Sequence, residues 1–264
     1  MSYLVQAGSG GYLGWKFLER TADTQRITFE KGAQIQRSRD YFSEKMPNVK
    51  QADELVSDYR LLQVALRAFG LDGDINNRLF IRKILESDPN DETSLVNKLS
   101  DKRYLSLNKA FGLSEAGTAD PNKAPDVNEI LDLYVTRSFE KNIGERYQEI
   151  ELGLNARREL PILAASTSSE NTKWYQILGS KPLRKVFEGA FGMSASFGQL
   201  PIDRQVEEMK TRLERMTGSA DISQFTAPEM AEALLKNYLL RSQISSISIS
   251  SPYAAALTIL RGGR

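Results

Sequence analysis

Pro201-Ile202-Asp203-Arg204-Gln205-Val206-Glu207-Glu208-Met209-Lys210-Thr211-Arg212-Leu213-Glu214-Arg215-Met216-Thr217-Gly218 is the stretch that decides the fold class. Ile202, Val206, Met209, Leu213 and Met216 step by four, three, four and three, which gathers them on one side of a 3.6-residue helix. Pro201 stands near the start, where its missing N–H breaks no helical bond, and Gly218 just past the end, where a left-handed residue closes a helix. An amphipathic helix over residues 201–216 is predicted.

The same period continues on both sides. Upstream, Leu55, Tyr59, Leu62 and Leu66 recur over 52–69 and end at Gly70. Helices are also predicted over 11–21, over 31–46 with Pro47 beyond, over 76–87 before the turn Asp88-Pro89-Asn90-Asp91, and over 94–111. A long apolar stripe over 127–160 is expected to be interrupted at Gly144 or Gly153 and limited by Pro161. Residues 174–191 read as helical with a break at 179–182. Downstream, Thr226 and Glu229 have capping-box spacing ahead of Leu234, Leu235, Tyr238 and Leu239. Over 243–250 the alternation of Ile247 and Ile249 fits a short strand or an extended linker instead, before Ser251-Pro252 opens a short last helix.

The expected fold is therefore all-α, as two packed helical lobes or one elongated helical domain, with a short extended C-terminal segment. Residues 1–28 form an N-terminal flexible or short-helix segment and 29–242 the helical domain. The loop 114–126, with Gly117, Pro121 and Pro125, separates lobes 29–113 and 127–242. Residues 243–264 are the tail.

Composition narrows the chemistry. The 264 residues carry 35 basic and 34 acidic side chains, a formal charge of +1 that supplies no field for steering toward nucleic acid or anionic lipid. No apolar run approaches the roughly 20 residues that span a bilayer, and the N-terminus lacks a Sec signal pattern. The expected location is the cytoplasm. With no cysteine and no histidine, serine–histidine triads and the common zinc sites cannot be built. Catalysis, if present, would use carboxylates, Lys, Tyr, Arg, Ser or Thr.

Each motif has a competing bland reading. Gly8-Ser9-Gly10-Gly11-Tyr12-Leu13-Gly14, with Glu30 downstream, imitates a dinucleotide fingerprint, but Leu13 stands where the third glycine belongs and no strand–helix series follows. Asp72-Gly73-Asp74-Ile75-Asn76-Asn77 begins like a calcium loop, then places Asn77 at the glycine position and Lys83 where a bidentate glutamate is needed. The pairs Glu207/Glu208 and Glu149/Glu151 fit solvated helix faces. Trp15, Phe17, Trp174 and Tyr175 can line a peptide groove, although core packing is the default for rings at helical spacing. Arg261-Gly262-Gly263-Arg264 contains a tripeptide of the RNA-binding type, but one copy in a neutral protein fits a frayed end better. Ala68-Phe69-Gly70-Leu71, Ala110-Phe111-Gly112-Leu113 and Ala190-Phe191-Gly192-Met193 each close a helix alike, either as a docking groove of repeated hairpins or simply as helices with the same stop. No catalytic, cofactor-binding or metal-binding residues are assigned, and no cofactor is expected.

Several ordered blocks carry a family resemblance. Val56-Ser57-Asp58-Tyr59-Arg60-Leu61-Leu62, Ala68-Phe69-Gly70-Leu71-Asp72, Phe80-Ile81-Arg82-Lys83-Ile84-Leu85-Glu86-Ser87-Asp88, Asp101-Lys102-Arg103-Tyr104, Tyr134-Val135-Thr136-Arg137-Ser138-Phe139-Glu140 and residues 174–205 resemble the alphaproteobacterial domain of unknown function family numbered twelve-seventeen. The resemblance spans about residues 29–217 and implies a helical protein whose genes lie among flagellar genes, with no established catalytic residues. Its implied role is a non-enzymatic interaction or structural protein of flagellar assembly or export, with a flagellar protein as partner. A carboxylate- or lysine-based enzyme, or a binder of small ligands or peptides, is the alternative.

Overall fold

A computed structural model describes residues 3–113 and 125–250, the side chains of 245–250 excepted. Among these residues there are thirteen α-helices, four 3-10 helices and no strand. In order, the α-helices are α1 Gly11–Glu30, α2 Ala33–Lys45, α3 Ala52–Ser57, α4 Tyr59–Phe69, α5 Arg78–Glu86, α6 Leu95–Lys98, α7 Arg103–Phe111, α8 Val127–Gly144, α9 Gln148–Ala165, α10 Glu170–Gly179, α11 Lys181–Phe191, α12 Ile202–Thr217 and α13 Pro228–Ser250. The fold is all-α. Most of the 114–126 loop, the helix expected from Ser251-Pro252 and the Arg261–Arg264 end lie outside the described residues.

The chain divides into two compact units, Met1–Val5 with Ala22–Asn142, and Gln6–Thr21 with Ile143–Arg264. In the first, α3, α4, α5 and α7 pack together, with α2 against α4. Phe42, Leu55, Leu62, Leu66, Ile81, Ile84 and Phe111 are buried there. Asp58 divides the periodic run 52–69 in two: its carboxylate accepts the N–H groups of Arg60 and Leu61 as the N-cap of α4, and also the hydroxyl of Tyr41 at 2.5 Å. Gly70 then stops α4 at φ 68°, and the Leu71 N–H reaches back to the Leu66 carbonyl at 2.8 Å, the six-to-one bond of a Schellman stop.

In the second unit α9, α11 and α13 form the central layer, flanked by α10 and α12. Phe187 is its hub, meeting Trp174, Phe191 and Phe225 edge-on at centroid distances of 5.6, 5.7 and 5.9 Å. The predicted helix over 201–216 is α12, with Val206, Met209 and Leu213 buried and Gly218 left-handed at φ 87°. The stops at Gly112 and Gly192 are left-handed as well, at φ 60° and 62°.

Four local readings are corrected. The first helix does not end near residue 21 but runs to Glu30, because no stop residue intervenes. Pro161 lies inside α9 instead of ending it: one lost backbone bond is outweighed by the burial of Leu160, Leu163 and Ala164 in the surrounding turns. Thr226 does not cap α13; its hydroxyl donates to the Ser223 carbonyl at 2.9 Å, closing a 3-10 helix ahead of Pro228. Residues 243–250 are neither strand nor extended linker. They continue α13, whose earlier turns are fixed by buried Leu234, Leu235, Tyr238 and Leu239, and propagation along an anchored helix outweighs the β preference of alternating isoleucines. The interruption at Gly144 is real, since the Glu151 carboxylate occupies the place a side chain there would need.

Candidate functional site

The sequence motifs prove to be structural ties. Gly8, Gly10 and Gly11 are left-handed and lead straight into α1 without a preceding strand. The α1 N-terminus, where a phosphate would bind, already holds a carboxylate: Gly11 N–H donates to Glu149 Oε1 at 2.9 Å. Asp72 pairs with Arg67, and Asp74 accepts the Tyr104 hydroxyl at 2.7 Å and the Asn77 amide at 2.8 Å, so the calcium-like loop spends its oxygens on its own fold. Burial and the bond to Asp74 push the Tyr104 phenol above its ordinary pKa. No group of acidic side chains able to hold a metal occurs among the described residues.

The four rings singled out in the sequence line no common groove. Trp15 is buried against Gly153 with the Arg157 guanidinium 4.9 Å from its ring, and Trp174 is buried with its indole N–H on the Ala220 carbonyl at 3.0 Å. Phe17 and Tyr175 are surface residues, the latter bonded to Asp203 at 2.6 Å. Glu207 pairs with Arg204 on the open face of α12.

Two arrangements went unread in the sequence. The first is a polar knot in the second unit. Lys173 is 3% exposed, yet all three ammonium protons are placed: on the Ala164 carbonyl at 2.9 Å, Ser223 Oγ at 2.6 Å and Glu170 Oε1 at 3.0 Å. Glu170 in turn accepts the Ile222 N–H at 2.6 Å and the Ser223 hydroxyl. Burial pulls the Glu170 pKa upward, but the bonds from Ser223, Lys173 and the Ile222 N–H outweigh it and hold the carboxyl below its ordinary value. Serine, lysine and glutamate in mutual contact look catalytic on paper. Here the lysine is committed to three acceptors and closes the negative end of α9, which makes the knot a cross-link.

The second arrangement is a groove of about 400 Å³ lined by Met193, Ser194, Ser196, Phe197, Gln199, Leu200, Glu208 and Arg212. Gly192 stops α11 and turns the chain into the 3-10 helix Ala195–Gln199, which buries Phe197 as the floor. Gln205 on α12 clamps the following corner, its amide on the Leu200 carbonyl at 2.6 Å. Arg212 latches α12 to α11, donating to the Phe191 carbonyl at 3.2 Å while pairing with Glu208 at 2.9 Å one turn away. Leu200 and Ile202, beside the corner, remain 43% and 49% exposed. An apolar floor with a charged rim and the hydroxyls of Ser194 and Ser196 bonded to each other at 2.7 Å, of ligand-pocket size, suits apolar side chains carried on a peptide. The signal available in the sequence was Met193, Phe197 and Leu200, large apolar residues at helical spacing, but in a stretch between Gly192 and Pro201 too short to stand as an element of its own.

An all-helical fold with a preformed surface groove defines the class as a helical protein with a candidate docking site. A family profile identifies it further: residues 68–231, more than half of the chain, match the Protein of unknown function (DUF1217) family, and the chain belongs to that family. The fold is similar to the crystal structure of protein AGR_C_984 from Agrobacterium tumefaciens, with a TM-score of 0.73 at 22% identity over 93% of this chain and 97% of that one. No curated protein matches the sequence.

Proposed function

We propose that the protein is a non-enzymatic helical interaction protein of flagellar assembly or export, and that the groove between α11 and α12 receives an apolar segment of its partner. The observation that carries the docking half is the groove itself, with buried Phe197 as floor and half-exposed Leu200 in its lining, followed two residues on by half-exposed Ile202. Large apolar side chains left at the edge of a preformed concavity are the usual anchor sites of peptide recognition. The flagellar half follows from what membership of the family implies about gene neighbourhood. No helix among the described residues is long and apolar enough to cross a membrane.

The test is a pull-down of the tagged full chain from motile source cells beside the Leu200→Asp/Ile202→Asp variant, with mass spectrometry of what is retained. Flagellar components held by the wild type and lost from the variant support the reading. Deletion of the gene leaving flagellar number, motility and export unchanged refutes it.

A further inference from the structure

We infer that the segment received by the groove carries an acidic residue beside its apolar side chains, and that Arg241 of α13 reads it. The inference rests on the reading of the groove as a docking site and adds the chemistry of the occupant. Its first support is the charge left over after pairing. Arg212 and Glu208 on the α12 rim pair with each other at 2.9 Å. Beside the floor, Arg184 pairs with Glu188 at 2.7 Å while its guanidinium faces the Phe197 ring at 5.7 Å. These four charges cancel. Arg241 is exposed and, among the described residues, has no hydrogen-bond or ion-pair partner, so its charge stays uncancelled.

The second support is position. The Arg241 guanidinium lies across Gly192, filling the space a side chain there would need, and Gly192 leads directly into groove-lining Met193. Arg212, itself in the lining, donates to the carbonyl of the preceding residue, Phe191, at 3.2 Å. The two guanidiniums thus meet adjoining residues at the head of the groove. A cation at a helix C-terminus ordinarily serves the helix. At α11 that role is filled: the Met193 N–H closes on the Glu188 carbonyl at 2.9 Å, the Gly192 N–H on the Gly189 carbonyl at 3.2 Å, and Arg212 takes Phe191. The N–H donors of Arg241 remain for an acceptor brought by a ligand. The third support is chemistry. A guanidinium fork takes a carboxylate through two parallel bonds, which fixes orientation as well as charge. Apolar burial over Met193, Phe197 and Leu200 then supplies affinity, and the carboxylate at the Gly192 end supplies direction and selectivity.

The test uses the full chain with isotope-labelled methionine methyls, the Met193 signal being assigned by Met193→Leu. Its probes are two synthetic amphipathic helices with the same leucine face, one flanked by glutamates and the other by lysines. The glutamate peptide should shift the Met193 methyl and bind about tenfold more tightly than the lysine peptide at low salt, with the preference shrinking in high salt. Arg241→Gln should abolish the preference and Arg241→Lys keep part of it, both melting near the wild-type midpoint because the side chain is exposed. Equal binding of the two peptides, or a preference that survives Arg241→Gln, overturns recognition by Arg241 and leaves the groove standing as a docking site. A Met193 methyl that neither peptide shifts overturns both.

Discussion

Replacing Lys173 by Met tests whether the Lys173–Ser223–Glu170 knot is a cross-link. The substitution keeps the apolar stem and removes the ammonium. It strands the Ala164 carbonyl, which is buried and lies in the last turn of α9, where no later helical N–H can reach it. An unsatisfied buried carbonyl costs about 1–3 kcal/mol. Loss of the charge-assisted bond to Glu170 adds about 1 kcal/mol, kept small because the Glu170 side chain is 31% exposed and retains the Ile222 and Ser223 donors. The expected loss is about 2–4 kcal/mol.

Glu170→Gln preserves the shape of the carboxyl and leaves Lys173 charged and buried without its counter-ion, a change that costs about 3 kcal/mol. In the double variant no buried charge is left unpaired, so its cost should fall short of the sum of the singles by at least 1 kcal/mol. Urea unfolding of the four proteins at pH 7, with slopes compared to confirm a common two-state transition, gives the coupling. Single-variant costs that add within about 0.3 kcal/mol, or a Lys173→Met cost below 1 kcal/mol, would refute the cross-link.

The other expectations follow from the same coordinates. The Glu170 pKa is held below its ordinary value of 4.5, so its contribution is fully present above that pH and is lost as pH falls through the depressed folded value. The stability gap between wild type and Glu170→Gln should accordingly narrow on going from pH 7 to pH 3.5 in urea melts, and a constant gap would contradict the assignment. Gly70→Ala forces a side chain onto backbone at φ 68° and places its Cβ 3.3 Å from the Arg137 guanidinium; a loss of about 1–2 kcal/mol is expected, seen as a lower thermal midpoint. Trp174→Ala removes the buried ring against Phe187 and the bond to Ala220, with an expected loss of about 3–5 kcal/mol by the same melts. Leu200→Asp lies at a 43% exposed site, so its midpoint should stay near wild type while partner capture falls.

How much of this was legible varies with the kind of signal. Where burial follows the 3.6 period and a glycine ends it, as for Leu62 and Leu66 of α4 and Val206, Met209 and Leu213 of α12, sequence and structure agree because local propensity, patterning and capping act together, while Tyr59 and Ile202 at the starts of these helices stand exposed. The differences arise where a distant contact decides. Pro161 is tolerated because Leu160, Leu163 and Ala164 around it are buried, and the Asp58 break depends on a carboxylate that caps α4 while holding the Tyr41 hydroxyl. Lys173 was invisible for a related reason. Its acceptors come from positions 164, 170 and 223, and no window of sequence shows a lysine that the fold has buried. The groove depends on Met193, Phe197 and Leu200, whose helical spacing falls in a stretch that folds only as the short 3-10 helix Ala195–Gln199, so only the placement of α12 against α11 makes it a groove.

The family match and the folded unit do not share a boundary, and the difference can be tested. The profile ends at residue 231, inside α13, while α13 continues to Ser250 and packs on both α9 and α11. Leu234, Leu235 and Leu239 lie beyond the match and are fully buried. At about 1.5–3 kcal/mol for each buried leucine, these three contribute about 5–9 kcal/mol, comparable to the whole net stability of an ordinary domain. A chain cut after residue 231 should therefore lose cooperative unfolding and expose the Phe187 hub, read as a dye-binding, broad-melting species beside the sharp transition of the full chain. Retention of a sharp transition at an unchanged midpoint would show that α13 is an appendage and that the profile boundary at residue 231 is also the boundary of the folded unit.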